Sequence, residues 1–396
     1  MKKNITLDKL TSCFLSLYVF VLLFWDYTIV FRVCTIILFV LFFLKVLSNK
    51  KIKIPKIVVF YCILTIYFIV HTYAGFTVKF SLSIDYCYTL ILNSLMIFSL
   101  CNLIDSKKNF ILMLKTFIFS TIICMVYFLY QSKGNFDLTV NFMIFSDYGF
   151  DHNTIPVFCG LSSGFILYLY KTKKISNKLW LMLIPLFCVY ILISGARKSL
   201  ILFIFTTIIY ILIKDTKQKN IAKSLGKIFA FGSFAVFAYM IIMRNEYLYN
   251  AIGVRFEGFI NGLGNGNYTE TSAQTRDIMF QTAIKLIKQK PFIGYGLFSF
   301  STFPGSSESW CHNTYLELIV SGGVICALIY YLPQFIDLIK LIKQKRSPIR
   351  NLFILLLIYI LLVHDNLSVS YLYRPSLLLL IFIDGYIFSI KHQKKI

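Results

Sequence analysis

Apolar runs long enough to cross a bilayer recur along the whole chain, about a dozen of them, and few soluble folds can bury so many. They are read as spans over Leu10–Trp25, Thr28–Val46, Ile57–Ala74, Leu82–Ile104, Phe110–Tyr130, Thr154–Tyr170, Leu179–Ile193, Ser199–Ile213, Leu225–Met243, Asn313–Ile339, Leu352–Val363 and Pro375–Ile390. A helix satisfies its own backbone in lipid, so the fold class is an all-α polytopic membrane protein with about 12 transmembrane helices. Residues 1–243 then hold spans one to nine, 244–312 form a long extracytoplasmic loop, and 313–396 hold spans ten to twelve.

Charge decides orientation. Forty Lys and Arg stand against 17 Asp and Glu, a net charge of +23 that in a soluble protein would suggest a nucleic-acid partner. Here the bases collect at the N-terminus (Lys2, Lys3, Lys9), at Lys45 to Lys56, Lys107 and Lys108, Lys171 to Lys178, Lys214 to Lys227, Lys340 to Arg350, and at Lys391 to Lys395. These are alternate loops, so the excess records cytoplasmic sides and both termini are placed in the cytoplasm, with the bilayer as partner and no nucleic acid. The N-terminal apolar run has no small-x-small cleavage site after Trp25 and is read as an uncleaved first helix. Ten scattered cysteines show neither a C-x-x-C nor a metal spacing, and most are expected to pack as small hydrophobes.

The long loop is expected to be ordered in part. After the Gly/Asn-rich stretch Gly262 to Tyr268, apolar Phe280, Ala283, Ile284 and Ile287 recur at helical spacing, with Ser272 or Thr275 as cap and Pro291 and Gly294 as stop. This predicts an amphipathic helix with Arg276 in its first turn, where free N–H groups favour an anion. A surface ion pair of Arg276 with Asp277 or Glu270 is the plainer alternative. Arg197 and Lys198, between the seventh and eighth spans, sit on the outer side against the charge bias, either for a function or by snorkelling to headgroups. His312 at the entrance to the tenth span has the chemistry of a general base. His152 and His364, the latter beside Asp365 and Arg374, are weaker candidates, and Glu317 is an intramembrane carboxylate.

The order of these pieces resembles the O-antigen ligase and Wzy-type polysaccharide polymerase superfamily. The corresponding residues are Ser194 to Arg197, Arg276 with Phe280, Pro291-Phe-Ile-Gly294-Tyr-Gly296, and His312-Asn313-Thr-Tyr315-Leu316 followed by Gly322-Gly323. Departures are Ala196 for a usual Ser, Thr275 where Gly often precedes the Arg, and Phe280 for Trp.

The resemblance implies a GT-C-like membrane glycosyltransferase using an undecaprenyl-diphosphate-linked oligosaccharide. It points to a polymerase for O-antigen, capsule or exopolysaccharide in the bacterial cytoplasmic membrane, with its active site on the extracytoplasmic face. His312 would be the catalytic base, and Arg197, Arg276, Lys198 and Arg255 would hold the diphosphate. Asn313 and Glu317 would orient the imidazole or the acceptor. No external D-x-D occurs, so no metal or cofactor is expected, and a chain-length regulator is an open partner. A ligase, moving glycan to lipid A core or protein, is the alternative. A flippase or transporter fits less well, since the two halves show no repeat.

Overall fold

The structure is a computed structural model that describes residues 2–25, 28–49, 52–131, 154–175, 178–194, 196–213, 240–241, 243–246, 249, 253, 271–307 and 310–393. Among these residues the secondary structure is helical, without a strand. The principal helices are α1 (Lys2–Phe24), α2 (Ile29–Asn49), α3 (Lys56–Tyr73), α4 (Phe80–Leu103), α5 (Lys107–Gln131), α6 (Thr154–Lys171), α7 (Leu179–Ser194) and α8 (Arg197–Phe203). There follow α9 (Thr271–Gln289), α10 (Thr314–Lys343), α11 (Pro348–Tyr359) and α12 (Arg374–Gln393). α8 runs on through a π turn at Ile204–Ile209, and α11 through one at Ile360–His364 into Asp365–Leu367.

Seven stretches among the described residues are long and apolar enough to cross a membrane: Leu7–Phe24, Ile29–Ser48, Lys56–Tyr73, Phe80–Leu103, Lys107–Tyr130, Thr314–Lys343 and Pro348–Leu367. The chain is therefore a polytopic all-α membrane protein. The sixth, seventh, eighth and twelfth predicted spans are also helical, while most of the ninth lies outside the described residues. Outward-facing Ile29, Ile66, Leu328 and Leu362 are exposed, as lipid-facing side chains must be.

The chain divides into two compact units that interleave along the sequence. The first comprises Met1–Thr116, Thr275–Lys343 and Ile360–Ile396, the second Phe117–Gln274 and Gln344–Tyr359.

In the first unit α3 packs between α4 and α10, α2 covers α4, and α12 touches α3, α4 and α10. Without a hydrophobic drive between helices in lipid, small polar side chains act as local fasteners. Thr35 and Tyr18 join α2 to α1 at 3.1 Å, and Thr65 and Ser94 join α3 to α4 at 2.8 Å. At the Lys56 end of this unit, Lys56 pairs with Asp337 and, at 3.1 Å, with Asp384. Lys45 likewise bridges Asp105 at 2.6 Å and Asp8 at 3.4 Å.

In the second unit α6 is buried almost throughout, against α7, α8 and α11. Gly160 and Gly164 admit α8 at close range: a Cβ on Gly164 would lie 2.8 Å from Thr206 Cβ, and the Thr206 hydroxyl donates to the Gly160 carbonyl at 2.8 Å. Gly160 and Gly164 form a small-x-x-x-small pair, the spacing that lets membrane helices approach.

Candidate active site

α10 starts where its sequence says it should. Asn313 is the N-cap, its side-chain oxygen accepting the Leu316 N–H at 3.0 Å. The residue before it, His312, has φ +52°, the left-handed region that a non-glycine residue enters at a cost of about 1–3 kcal/mol. Glu317 holds the turn in that shape. Fully buried one turn into α10, it accepts the Cys311 N–H at 3.0 Å and the Ser321 hydroxyl at 3.1 Å. Burial, reinforced by the Glu317 carboxylate, pushes the Cys311 thiol well above its usual pKa, so Cys311 is a buried neutral group and no nucleophile.

Below this turn α10 is broken. Gly323 has φ +71° and ψ −177°, which frees the carbonyls of Val320 and Ser321 from the helical ladder. The Pro291 to Gly296 loop fills the gap with its own backbone. Tyr295 N–H donates to Val320 at 2.8 Å, Gly296 N–H to Ser321 at 2.8 Å, and Val324 N–H returns to Pro291 at 2.9 Å. Gly294 and Gly296 also have positive φ, and a Cβ on Gly323 would meet the Phe292 carbonyl oxygen at 1.9 Å. Two α3 side chains lock the joint: Tyr67 hydroxyl donates to the Gly322 carbonyl at 2.6 Å, and His71 Nε2 lies 2.9 Å from the Ile293 carbonyl.

α9 is the expected amphipathic helix, resting on this joint. Its buried face is Met279, Ala283 and Leu286, with Ile287 alongside, packed on Tyr295, Phe300, Cys311 and Val320. Ile284, assigned to the core side by its spacing, is exposed, because the face is centred on Ala283 and Leu286 instead. Since α9 begins at Thr271, Arg276 falls in its second turn, not the first. The free N–H groups of the helix end therefore give Arg276 little help with an anion, and its guanidinium must act through its own charge. Arg276 is exposed, and the neighbouring Asp277 accepts from Gln281 at 2.8 Å.

A segment that the sequence ranked low closes the other side of the turn. After the π turn of α11, Asn366 accepts from Asn313 at 3.3 Å, and the Thr314 hydroxyl donates to the Ser368 carbonyl at 2.7 Å. Buried Asp365 accepts from Tyr331 at 2.8 Å, and Tyr331 stacks on Tyr315 with centroids 4.4 Å apart. His364 is buried, with its two ring nitrogens facing the Ser376 hydroxyl at 2.9 Å and the Ser368 hydroxyl. π turns recur where function displaces a regular ladder.

Tyr86, Phe298 and Trp310 form an aromatic cluster beside the turn, and no spacing in the sequence announced it. Phe298 and Trp310 centroids are 4.3 Å apart, Tyr86 and Phe298 4.7 Å, and Tyr86 and Trp310 5.0 Å.

His312, Asn313 and Glu317 thus share one turn of the first unit, which also contains Arg276, exposed on α9. Arg197 and Lys198 belong to the second unit. Ser194 turns the chain there, accepting the Ala196 N–H at 3.3 Å, and Arg197 opens α8 as an exposed residue. The Lys198 carbonyl accepts from Tyr359 at 3.2 Å. Arg255 and His152 lie outside the described residues.

Residues 179–331 match the family model described as O-antigen ligase, a segment running from the start of α7 to Tyr331 in α10. This is the family that the sequence resembles, over the same motifs. Among curated proteins none matches the chain.

Proposed function

From the O-antigen ligase-type domain that residues 179–331 make up, which marks a membrane glycan-processing enzyme, we propose that the chain is a polysaccharide polymerase. It transfers an undecaprenyl-diphosphate-linked glycan to a sugar hydroxyl of another lipid-linked repeat unit, on the extracytoplasmic face. The observation that carries the reading is the His312 turn. A strained imidazole-bearing residue is fixed from both sides, by Asn313 capping α10 and by Glu317 holding Cys311, inside the matched segment. Such over-determined strain is characteristic of functional positions.

The reaction needs one proton acceptor and a cationic cradle. The acceptor hydroxyl oxygen attacks the anomeric carbon and passes its proton to the His312 imidazole. The bond from that carbon to the diphosphate oxygen breaks, its electron pair going to the leaving group, and direct attack inverts the anomeric centre. A diphosphate is a stable anion and needs charge compensation instead of an acid. Arg276 and Arg197, with Lys198 and Arg255, supply it through planar or point-charge contacts. Glu317 and Asn313 position the base through the turn.

The broken α10 argues against transport. In transporters the freed backbone groups of a broken helix face substrate or ion, whereas here the Val320 and Ser321 carbonyls are taken by the chain's own loop. Ligation to a different acceptor is the second reading, favoured by the matched family's own description.

The purified protein with one lipid-linked repeat unit separates the two. A ladder of products supports polymerisation, and transfer only after a second acceptor is added supports ligation. His312→Ala is expected to slow transfer by about 10²–10⁴-fold in normally assembled protein. Wild-type rates in His312→Ala or Arg276→Ala would remove those residues from the chemistry.

A further inference from the structure

We propose that Tyr86, Phe298 and Trp310 form a stacking platform for one neutral sugar ring of the acceptor glycan, an inference that rests on the glycosyl-transfer reading. A pyranose presents an apolar face of C–H groups with a slight positive charge, and an aromatic face is its electrostatic and steric complement. Sugar hydroxyls alone compete poorly with water, so recognition of a neutral glycan needs such surfaces.

Three observations single out these rings. All three are half-buried, whereas their near neighbours in sequence, Phe300 and Cys311, are fully buried in the core under α9. Trp310 meets the buried Tyr371 edge-on, with centroids 6.4 Å apart, yet both it and Phe298 stay partly open. Phe298 also has φ +59°, a conformation glycine would adopt without strain, yet an aromatic ring occupies it and lies 4.3 Å from Trp310. Finally, Trp310 stands two residues before His312, and the Glu317 hydrogen bond to Cys311 fixes the link between them.

The platform is thus rigidly coupled to the base. A general base must lie within about 3 Å of the hydroxyl it deprotonates, so the ring held by Trp310 is the one that bears, or adjoins, the attacking hydroxyl. The donor's anomeric end is placed by its diphosphate and the arginines. The rings therefore serve the acceptor, and loss of the platform should weaken acceptor binding and leave turnover of bound substrate nearly intact.

The test uses the full chain with Trp25→Phe and Trp180→Phe, so that Trp310 is the sole indole. Its fluorescence is titrated with the oligosaccharide released by mild acid from the lipid-linked substrate. Alongside, acceptor KM and kcat are measured for Trp310→Ala, Trp310→Phe and Phe298→Ala. A saturable fluorescence change, lost in Phe298→Ala, is expected. The acceptor KM should rise about tenfold in Trp310→Ala with kcat changed less than about twofold, and Trp310→Phe should recover most of it. An unchanged KM and fluorescence response in proteins that still transfer glycan overturns the platform, as does a fall in kcat alone. Saturable binding by a wild-type protein that transfers nothing keeps the platform and removes the glycosyl-transfer reading. Should Trp310→Ala fail to assemble, Trp310→Phe and the titration decide.

Discussion

At the Lys56 end of the first unit, charge answers charge: buried Asp337 and Asp384 share one ammonium, and Asp384 also accepts the Ile57 N–H at 2.8 Å. At the His312 end the polar groups answer backbone instead. Glu317 binds a peptide N–H, the Pro291 to Gly296 loop binds two helical carbonyls, and His312, Phe298 and Gly323 all sit at positive φ. One end is held by opposite charges, as a structural clamp should be. The other stores strain and supports it from several elements, which is what a site needs if a side chain must be held where its backbone would not leave it. Burial of polar groups is therefore a poor guide to function in this bundle; what they hold in place is a better one.

The comparison breaks most sharply at the joint. Gly323→Ala puts a methyl group into the Phe292 carbonyl, a backbone atom that cannot swing away, and adds the cost of a side chain at φ +71°. A loss of more than about 4 kcal/mol, seen as failure to purify as a monodisperse species, is expected. Gly385→Ala, where nothing lies within 4 Å, is the matched control and should purify normally. Equal behaviour of the two would mean that α10 can close its break and that the loop is not its partner.

Removing the cation at the other end tests the clamp. Lys56→Met leaves two carboxylates buried without their cation and should cost about 3 kcal/mol. Activity per folded molecule should stay at the wild-type value, because only the clamp is touched. Adding Asp337→Asn and Asp384→Asn removes the stranded charges and should restore most of the thermal stability. A drop in specific activity with Lys56→Met would couple the two ends and dissolve the contrast.

Much of this was legible because lipid enforces it. The helices follow from apolar runs, and α9 from a three-and-four spacing ended by Pro291. The start of α9 was not, since Thr271, Ser272 and Thr275 can all cap, and so Arg276 was assigned one turn too early. The break in α10 was hidden for a different reason. A Gly pair is ordinary in membrane helices, and it becomes a break only because a loop distant in sequence offers two N–H groups at the right place. Phe298 and Trp310 carry no periodic signal, as their contact depends on loop geometry. Glu317 was visible as an intramembrane carboxylate, but its partner, a backbone N–H, is invisible to any reading of side-chain types.

The smallest effect concerns that carboxylate. If Glu317 holds the turn as a hydrogen-bond acceptor, Glu317→Gln can still receive the Cys311 N–H and should lose less than about 1 kcal/mol. Glu317→Ala leaves that N–H buried and unpaired, at about 1–3 kcal/mol. Equal losses would make the charge, and not the acceptor, the anchor. Cys311 reports on the charge separately. Its thiol is held up first by burial and then by the Glu317 carboxylate, so the folded protein keeps this proton where the unfolded chain releases it, near pH 9. Its contribution to stability is fully present below that pH and is lost as pH rises through the higher folded value. Native Cys311 should accordingly resist alkylation from pH 7 to pH 9 while the denatured chain reacts. In Glu317→Gln the electrostatic share disappears and burial remains, which predicts a modest rise in the pH 9 alkylation rate, still below the denatured rate. A rate equal to that of the denatured chain in either protein, read by mass spectrometry, would mean that the turn opens freely and that His312 is not held by it.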